Sequence, residues 1–407
     1  MKKNLIPVIL ITGLIILGVF LYNQDASKTE KSADNQIKIG IILGFTGPIE
    51  SLAPVMAKSA ELAIDEVNKS GNFMDGAQLM AVRADSTCVD AAAAQAAAER
   101  LITSDKVSAI MGADCSGVTT AVLKNVAIPN GILMISPSAT SPALSTEPDN
   151  DLFFRTAPSD ARQGEVIADL LMEKGFKTAA LTHTNNDYGK GLAASIKSNY
   201  EAKGGTITIS ASHEDGKGDY SSEVAALAQA SGDILIVAGY LDQGGKGIIQ
   251  ASLDADAFNK FFLPDGMIGD SLPKAIGPDL NGSIGSVPGT DSPGAAKYSE
   301  LAKAAGFESG PYGPESYDAA ALIMLAMEAA KSTDSNVFKN NVMDIANAPG
   351  EKIYPGELSK ALNLIKEGKD IDYVGATALE LVGSGESSGS FAEILIDNQK
   401  TNKVGYR

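Results

Sequence analysis

Two loops carry residue types able to hold a small anion. Gly112-Ala-Asp-Cys-Ser-Gly-Val118 follows the apolar run Val107-Ser-Ala-Ile-Met111, and Ile135-Ser-Pro-Ser-Ala-Thr-Ser141 follows Ile132-Leu-Met-Ile135. In each, an apolar run gives way to hydroxyl residues, Gly or Pro, the pattern of a buried strand ending in a loop. The segment Val118 to Val126 reads as helical. Ser116 and the backbone N–H groups beside it therefore stand at a helix start, where unpaired donors and the helix dipole favour negative charge. Two such loops at neighbouring strand ends of an open α/β sheet form a ligand crevice.

Other chemistry finds little support. Gly385-Glu-Ser-Ser-Gly389 matches the G-x-S-x-G nucleophile elbow, but that elbow needs a later His and none follows His213. The segment is expected to be a flexible turn. Tyr240-Leu-Asp-Gln-Gly-Gly-Lys246 ends like a phosphate loop yet lacks the first Gly and the following Ser or Thr. His183 ends an apolar strand and reads as a hydrogen-bonded polar residue. Cys88, Cys115, His183 and His213 are too scattered for a zinc site. No catalytic residue, metal ligand or cofactor is expected.

The elements that must position these loops alternate along the chain. Ile37–Leu43, Ala77–Ala84 and the runs at Val107 and Ile132 read as strands, separated by helices over Pro54–Ser70 and Asp90–Thr103. After the turn-forming cluster Thr146-Glu-Pro-Asp-Asn-Asp151 the rhythm restarts. Strands are expected at Thr178–His183, Thr206–Ser210, Asp233–Ala238 and Lys260–Leu263, with helices between them. A Gly/Pro-rich stretch runs from Gly277 to Pro293, followed by helices to Glu367 and a short β tail. Strand–helix alternation predicts doubly wound parallel sheets with helices on both faces.

At 407 residues the chain exceeds one core, so two lobes are expected. The expected division is leader or anchor plus linker over 1–36, a first lobe of 37–157 plus 291–372, and a second of 158–290 plus 373–407. A formal charge of −17 argues against nucleic acid or an anionic membrane surface as partner. Met1-Lys2-Lys3 ahead of the uncharged apolar run Leu5–Tyr22 is the pattern of an export signal or a retained anchor. Both outcomes put the rest of the chain outside the cytoplasm. Two cysteines in an exported chain favour a disulfide, Cys88 to Cys115.

Taken together, the chain resembles the type I periplasmic solute-binding proteins of ABC importers, in the leucine/isoleucine/valine-binding branch. The residues that carry the resemblance are Thr46-Gly-Pro48, Asp85 with Cys88, Cys115-Ser116, Ile135-Ser-Pro137 with Ala139-Thr140, Asp187-Tyr-Gly189, Ala238-Gly-Tyr240 and Pro264-Asp-Gly266. Their order spans essentially all of residues 37 to 400. The resemblance implies two lobes with a hinge and a cleft that closes on an amino acid, then docking of a monomer to a membrane permease. It assigns the ligand carboxylate to Ser116, Ser138 (through its backbone), Ala139 and Thr140. It assigns the ammonium to Asp265 and the Thr140 hydroxyl, and the walls to Leu52, Tyr188, Tyr240 and Tyr312. The branch often has Tyr where this chain aligns Leu52, and Glu where Asp265 stands. Glu50, in the first loop, is a further candidate for the cleft. The same fold also serves as the ligand-binding part of sensors.

Overall fold

The computed structural model describes residues 36–407. The expected leader or anchor over Leu5–Tyr22 and most of the linker lie outside the described residues.

Short β-branched runs alternate with amphipathic helices in the first part of the chain. They give β1 (Gln36–Leu43), β2 (Gln78–Asp85), β3 (Ala109–Gly112), β4 (Met134–Ser136) and β5 (Phe153–Pro158). The rhythm repeats in β6 (Thr178–Thr184), β7 (Thr206–His213), β8 (Ile234–Ala238), β9 (Phe261–Leu263) and β10 (Ile284–Pro288). Late in the chain come β11 (Glu351–Ile353), β12 (Ile371–Tyr373), β13 (Leu381–Val382), β14 (Glu386–Ser387), β15 (Phe391–Asp397) and β16 (Lys400–Tyr406). One sheet has the order β13-β14-β5-β4-β3-β1-β2, the other β16-β15-β10-β9-β8-β6-β7, and β11 pairs with β12 alone. The central pairings are parallel, and antiparallel strands close one edge of each large sheet.

Sheet membership corrects the expected division. Leu381–Val382 and Glu386–Ser387 belong to the first sheet, and the chain crosses to the second only between Ser387 and Phe391. Residues 373–387 were expected with the second lobe. The earlier crossings follow β5, where Asp160 opens the next helix, and β10, ahead of the helix Pro293–Ala304.

In each sheet the chain reverses its direction of growth once beside its first strand. In the first sheet β1 lies between β2 and β3; in the second β6 lies between β7 and β8. The carboxyl ends on the two sides of such a reversal diverge and leave a crevice. That geometry sets Ala113–Ser116 at the mouth of one sheet, and Tyr188 and Tyr240 at the mouth of the other. The helix Gly313–Ala330 is apolar nearly all round and is buried against the helix Ala53–Ser70 and the first sheet, as such a helix must be. Tyr312 caps its start, 4% exposed, with a left-handed φ of 59° that a bulky residue adopts only at a cost of roughly 1–2 kcal/mol.

His213, at the end of β7, is buried, and its Nδ1 meets the Thr182 hydroxyl at 2.9 Å. Burial, with the neighbouring His183 adding to it, lowers its pKa to about 4. The unfolded chain binds this proton near pH 6.5, so between pH 6.5 and 4 it holds more protons than the native state, and stability falls as pH falls. The loss approaches ~3 kcal/mol, and unfolding of wild type and His213→Gln by denaturant at pH 7 and pH 4.5 measures it as a difference. The difference is needed because Asp318, raised by burial to about 6, acts with the opposite sign in both proteins.

Candidate functional site

The first anion-holding loop is built from β3 onward. Asp114 is buried and accepts from Gly44 N at 2.5 Å, Ser86 Oγ at 2.8 Å and Cys115 N at 3.1 Å. It ties three loops of the first lobe into one floor. Desolvation raises its pKa, and these donors oppose the shift. Cys88 and Cys115 form the disulfide, which fixes the residue just ahead of Ser116. Closing a chain segment of this length is worth about 3–4 kcal/mol in the chain-entropy account. The Cys88→Ser/Cys115→Ser protein should therefore lose about that much unfolding free energy, as measured by urea titration.

The second loop leans on the first. Ser116 Oγ accepts from Ser141 N at 3.1 Å, and Ser138 Oγ donates to the Asp114 carbonyl at 3.0 Å. Behind the loop sits Arg155, 1% exposed, which donates to the Ala139 carbonyl at 3.0 Å and the Ser141 carbonyl at 2.9 Å and pairs with Glu386. The elbow-like motif thus supplies, through Glu386 on β14, the counter-ion of a buried guanidinium.

The second lobe presents Tyr188, Tyr240 and Asp265. Asn186 caps the helix Asp187–Ala202 through its side chain, which sets Tyr188 in the first turn. Tyr188 and Tyr240 stack with ring centroids 5.2 Å apart. Asp265 follows β9, is 2% exposed, and accepts from Tyr188 Oη at 2.8 Å and from Tyr312 Oη of the opposite lobe. Gly266 permits this approach: a Cβ there would lie 2.6 Å from the Gly239 carbonyl and 2.9 Å from Tyr188 Oη.

The lobes are shut on each other. Ser51 N and Ser271 Oγ both donate to Asp242, at 2.9 and 2.8 Å, and Asp242 N donates to the Pro48 carbonyl at 3.1 Å. Gly191 lies against Pro142 of the first lobe, where a Cβ would come within 2.8 Å. Between the lobes remains a cavity of about 20 Å³. Ser116, Ser138 and the aliphatic Ile49, Leu52 and Met56 wall one side, with Tyr312; Tyr188, Tyr240 and Asp265 wall the other.

Seven of the nine expected site residues are thus brought together. Ala139 and Thr140 are not in the wall. Ala139 is spent inside the lobe, its N–H on Ser136 Oγ at 2.9 Å and its carbonyl on Arg155. Thr140 Oγ1 is buried without a partner one layer back. Glu50 is exposed and does not reach the cleft.

Asp160 is a residue the sequence reading missed. It is wholly buried, and neither carboxyl oxygen has a partner. Burial first, then the charge of Asp265, pushes its pKa well above the carboxylate range; the neighbouring Thr140 hydroxyl and Arg155 offset this in part. Asp265 is raised too, again by burial, against the pull of the Tyr312 and Tyr188 hydroxyls. Burial thus disfavours the ionised form of both carboxyls.

The family model for periplasmic binding protein matches residues 36–346. The chain belongs to that family. A Leu/Ile/Val-binding protein homolog of Brucella melitensis is 31% identical over 308 residues, 74% of this chain and 81% of its own length. A leucine-, isoleucine-, valine-, threonine- and alanine-binding protein of Pseudomonas aeruginosa is 30% identical over 260 residues, 63% of this chain and 67% of its own. A chemotactic substrate-binding protein, BasB of Halobacterium salinarum, is 25% identical over 92% of this chain and 91% of its own. Among solved structures, LivJ of Streptococcus pneumoniae in complex with isoleucine superposes with a TM-score of 0.76 at 22% identity, covering 91% of this chain and 99% of its own. An R. palustris solute-binding protein in complex with benzoate gives a TM-score of 0.74 at 19% identity, covering 91% and 96%. These structural likenesses fix the fold of this periplasmic binding protein as two lobes, each on a largely parallel sheet. Its family is one of solute-binding proteins rather than enzymes, and of proteins that work outside the cytoplasm. Among the described residues no helix is long and apolar enough to cross a membrane.

Proposed function

We propose that this binding protein captures an α-amino acid with an aliphatic side chain by closing its cleft, and delivers it as a monomer to an ABC transporter permease in the membrane. The observation that carries the reading is Asp265, buried in the wall of a shut cleft across from Ser116 and Ser138. The Ser116 hydroxyl, which accepts from Ser141 N and keeps its own proton to give, suits a carboxylate, whereas Ser138 already gives its hydroxyl to the Asp114 carbonyl and its N–H to Ser136 Oγ at 3.3 Å. A carboxyl held from the other side, that of Asp265, suits an ammonium. Only a zwitterion uses both, and only when the lobes meet. Ile49, Leu52 and Met56 then offer an aliphatic wall for the side chain. The names of the Brucella and Pseudomonas relatives support the same class of ligand. Thr140, like Asp160, lies outside the cavity wall and is not assigned a direct contact.

A simple aromatic acid, the ligand of the R. palustris structure, fits less well. It brings a carboxylate and no cation into a cleft whose wall already holds the buried Asp114 and Asp265. The similarity to BasB over nearly the whole chain supports a second reading, in which the same capture of an amino acid feeds a sensor instead of a permease.

A thermal-shift screen over the amino acids, with benzoate and simple amides as comparators, tests the proposal. A ligand present at a hundredfold its Kd stabilises the closed form by ~2.7 kcal/mol. The expected result is a clear rise in unfolding temperature with an aliphatic amino acid and none with benzoate. A rise with benzoate alone would overturn the reading.

A further inference from the structure

A second cavity lies between the lobes. Leu52 and Tyr312 belong to the walls of both cavities, and beyond them the second encloses about 590 Å³. That is well inside the ~300–1,000 Å³ usual for small-ligand sites. Part of its wall is the crossing segment Val287–Thr290, so the cavity sits at the hinge.

Two polar atoms in this wall are buried without a hydrogen-bond partner: Glu315 Oε2 and Thr401 Oγ1. Glu315 comes from the first turn of the helix Gly313–Ala330 in the first lobe, and Thr401 from β16 in the second. Glu315 is 2% exposed. A carboxyl so placed costs free energy unless something satisfies it. It does not brace the fold as Asp318 does one turn later, where Tyr373 Oη, Ala376 N and Thr377 N all donate to the carboxylate at 2.8–2.9 Å. Burial raises Glu315 to about 8, with the charge of Asp318 adding and that of Lys403 opposing. The remaining charged groups of the wall are committed or at the rim: Asp270 pairs with Lys274 at 3.3 Å, and Glu308 and Lys403 are exposed.

We propose that this cavity is a second ligand site, which takes the ammonium head of a small organic cation on Glu315 and Thr401. An ammonium has three donors and no acceptor, matching a carboxyl and a hydroxyl oxygen that both lack donors. Ile268, Val287 and Pro288 give its alkyl part an apolar wall. The two polar contacts come from opposite lobes, so occupancy draws the lobes together independently of what the first cavity holds.

Isothermal titration of the full chain with n-butylammonium, n-butyrate and n-butanol tests this. Wild type should bind n-butylammonium saturably and the other two at least about tenfold more weakly, one decade being 1.4 kcal/mol. Glu315→Gln keeps the side-chain volume and should lose tenfold or more; Thr401→Val should lose a smaller factor. Asp265→Asn, whose carboxyl belongs to the other cavity, reports whether the amine seats there instead. Equal binding to Glu315→Gln and wild type would overturn the proposal. So would loss of amine binding in Asp265→Asn with retention in Glu315→Gln, which would seat the amine in the first cavity. No saturable binding, or equal binding of n-butyrate, would overturn it too. If Glu315→Gln fails to fold, the Thr401→Val titration decides alone.

Discussion

Asp265→Asn should weaken amino-acid binding by roughly thirty- to several-thousand-fold while leaving the protein folded. Closure strips water from the ligand ammonium and sets it against Asp265, which is already desolvated. Removing the charge of one member of such a pair costs ~2–5 kcal/mol, much of it from the orphaned partner. The substitution is nearly isosteric: its amide oxygen can still accept from one of the Tyr188 and Tyr312 hydroxyls while its NH2 donates to the other, so the closed geometry has little reason to change. In the absence of ligand the variant should be as stable as wild type or more so, because burial already disfavours the ionised form of both Asp265 and Asp160. Titration calorimetry supplies the affinity and urea unfolding the stability. A variant that loses both would make Asp265 a fold residue and not a binding one.

Arg155→Met should lower the unfolding free energy by about 3–5 kcal/mol, the cost of breaking a buried ion pair by removing one partner. The loss has named parts: the Ala139 and Ser141 carbonyls lose their donor, and Glu386 is left without its cation. Those carbonyls belong to the loop that carries Ser138, so binding should weaken as well, through displaced geometry rather than a lost contact. Glu386→Gln is the control. It keeps the acceptor for Arg155 and Ser145, and should cost less in both measurements. If Arg155→Met leaves urea unfolding unchanged, the guanidinium is not what holds that loop.

How far the sequence foretold this arrangement depends on the kind of signal each part leaves. Alternating β-branched and amphipathic runs mark β1 to β4 and β6 to β9 because each buries a pattern of its own. β5 and β10 leave weaker signals. β5 carries Arg155 and Thr156 inside its apolar run, and β10 lies within a stretch rich in Gly and Pro. β14 hides in the elbow-like Gly385–Gly389, which was expected to be a turn. It is a strand only because β5 offers it an edge. Ser116, Ser138, Tyr188, Tyr240 and Asp265 stand at strand ends or helix starts, where short-range pattern points to them. Asp160 left no such mark. An Asp after Pro158-Ser159 reads as a helix-start acid, and only packing of the hinge shows that its oxygens find no donor. A lone Arg within an apolar run was the readable trace of Arg155, since charged side chains are almost never fully buried unless paired.

The central claim is that the closed cleft recognises both ends of a zwitterion. The most direct measurement titrates wild type with the amino acid that shifts its unfolding temperature most, and with that ligand's deaminated analogue, then repeats both with Asp265→Asn. Wild type should prefer the amino acid by about a hundredfold or more, a difference of roughly 2.7 kcal/mol. Asp265→Asn should shrink that preference to within about tenfold. Equal affinity of wild type for the two ligands, or an undiminished preference in the variant, would contradict the account.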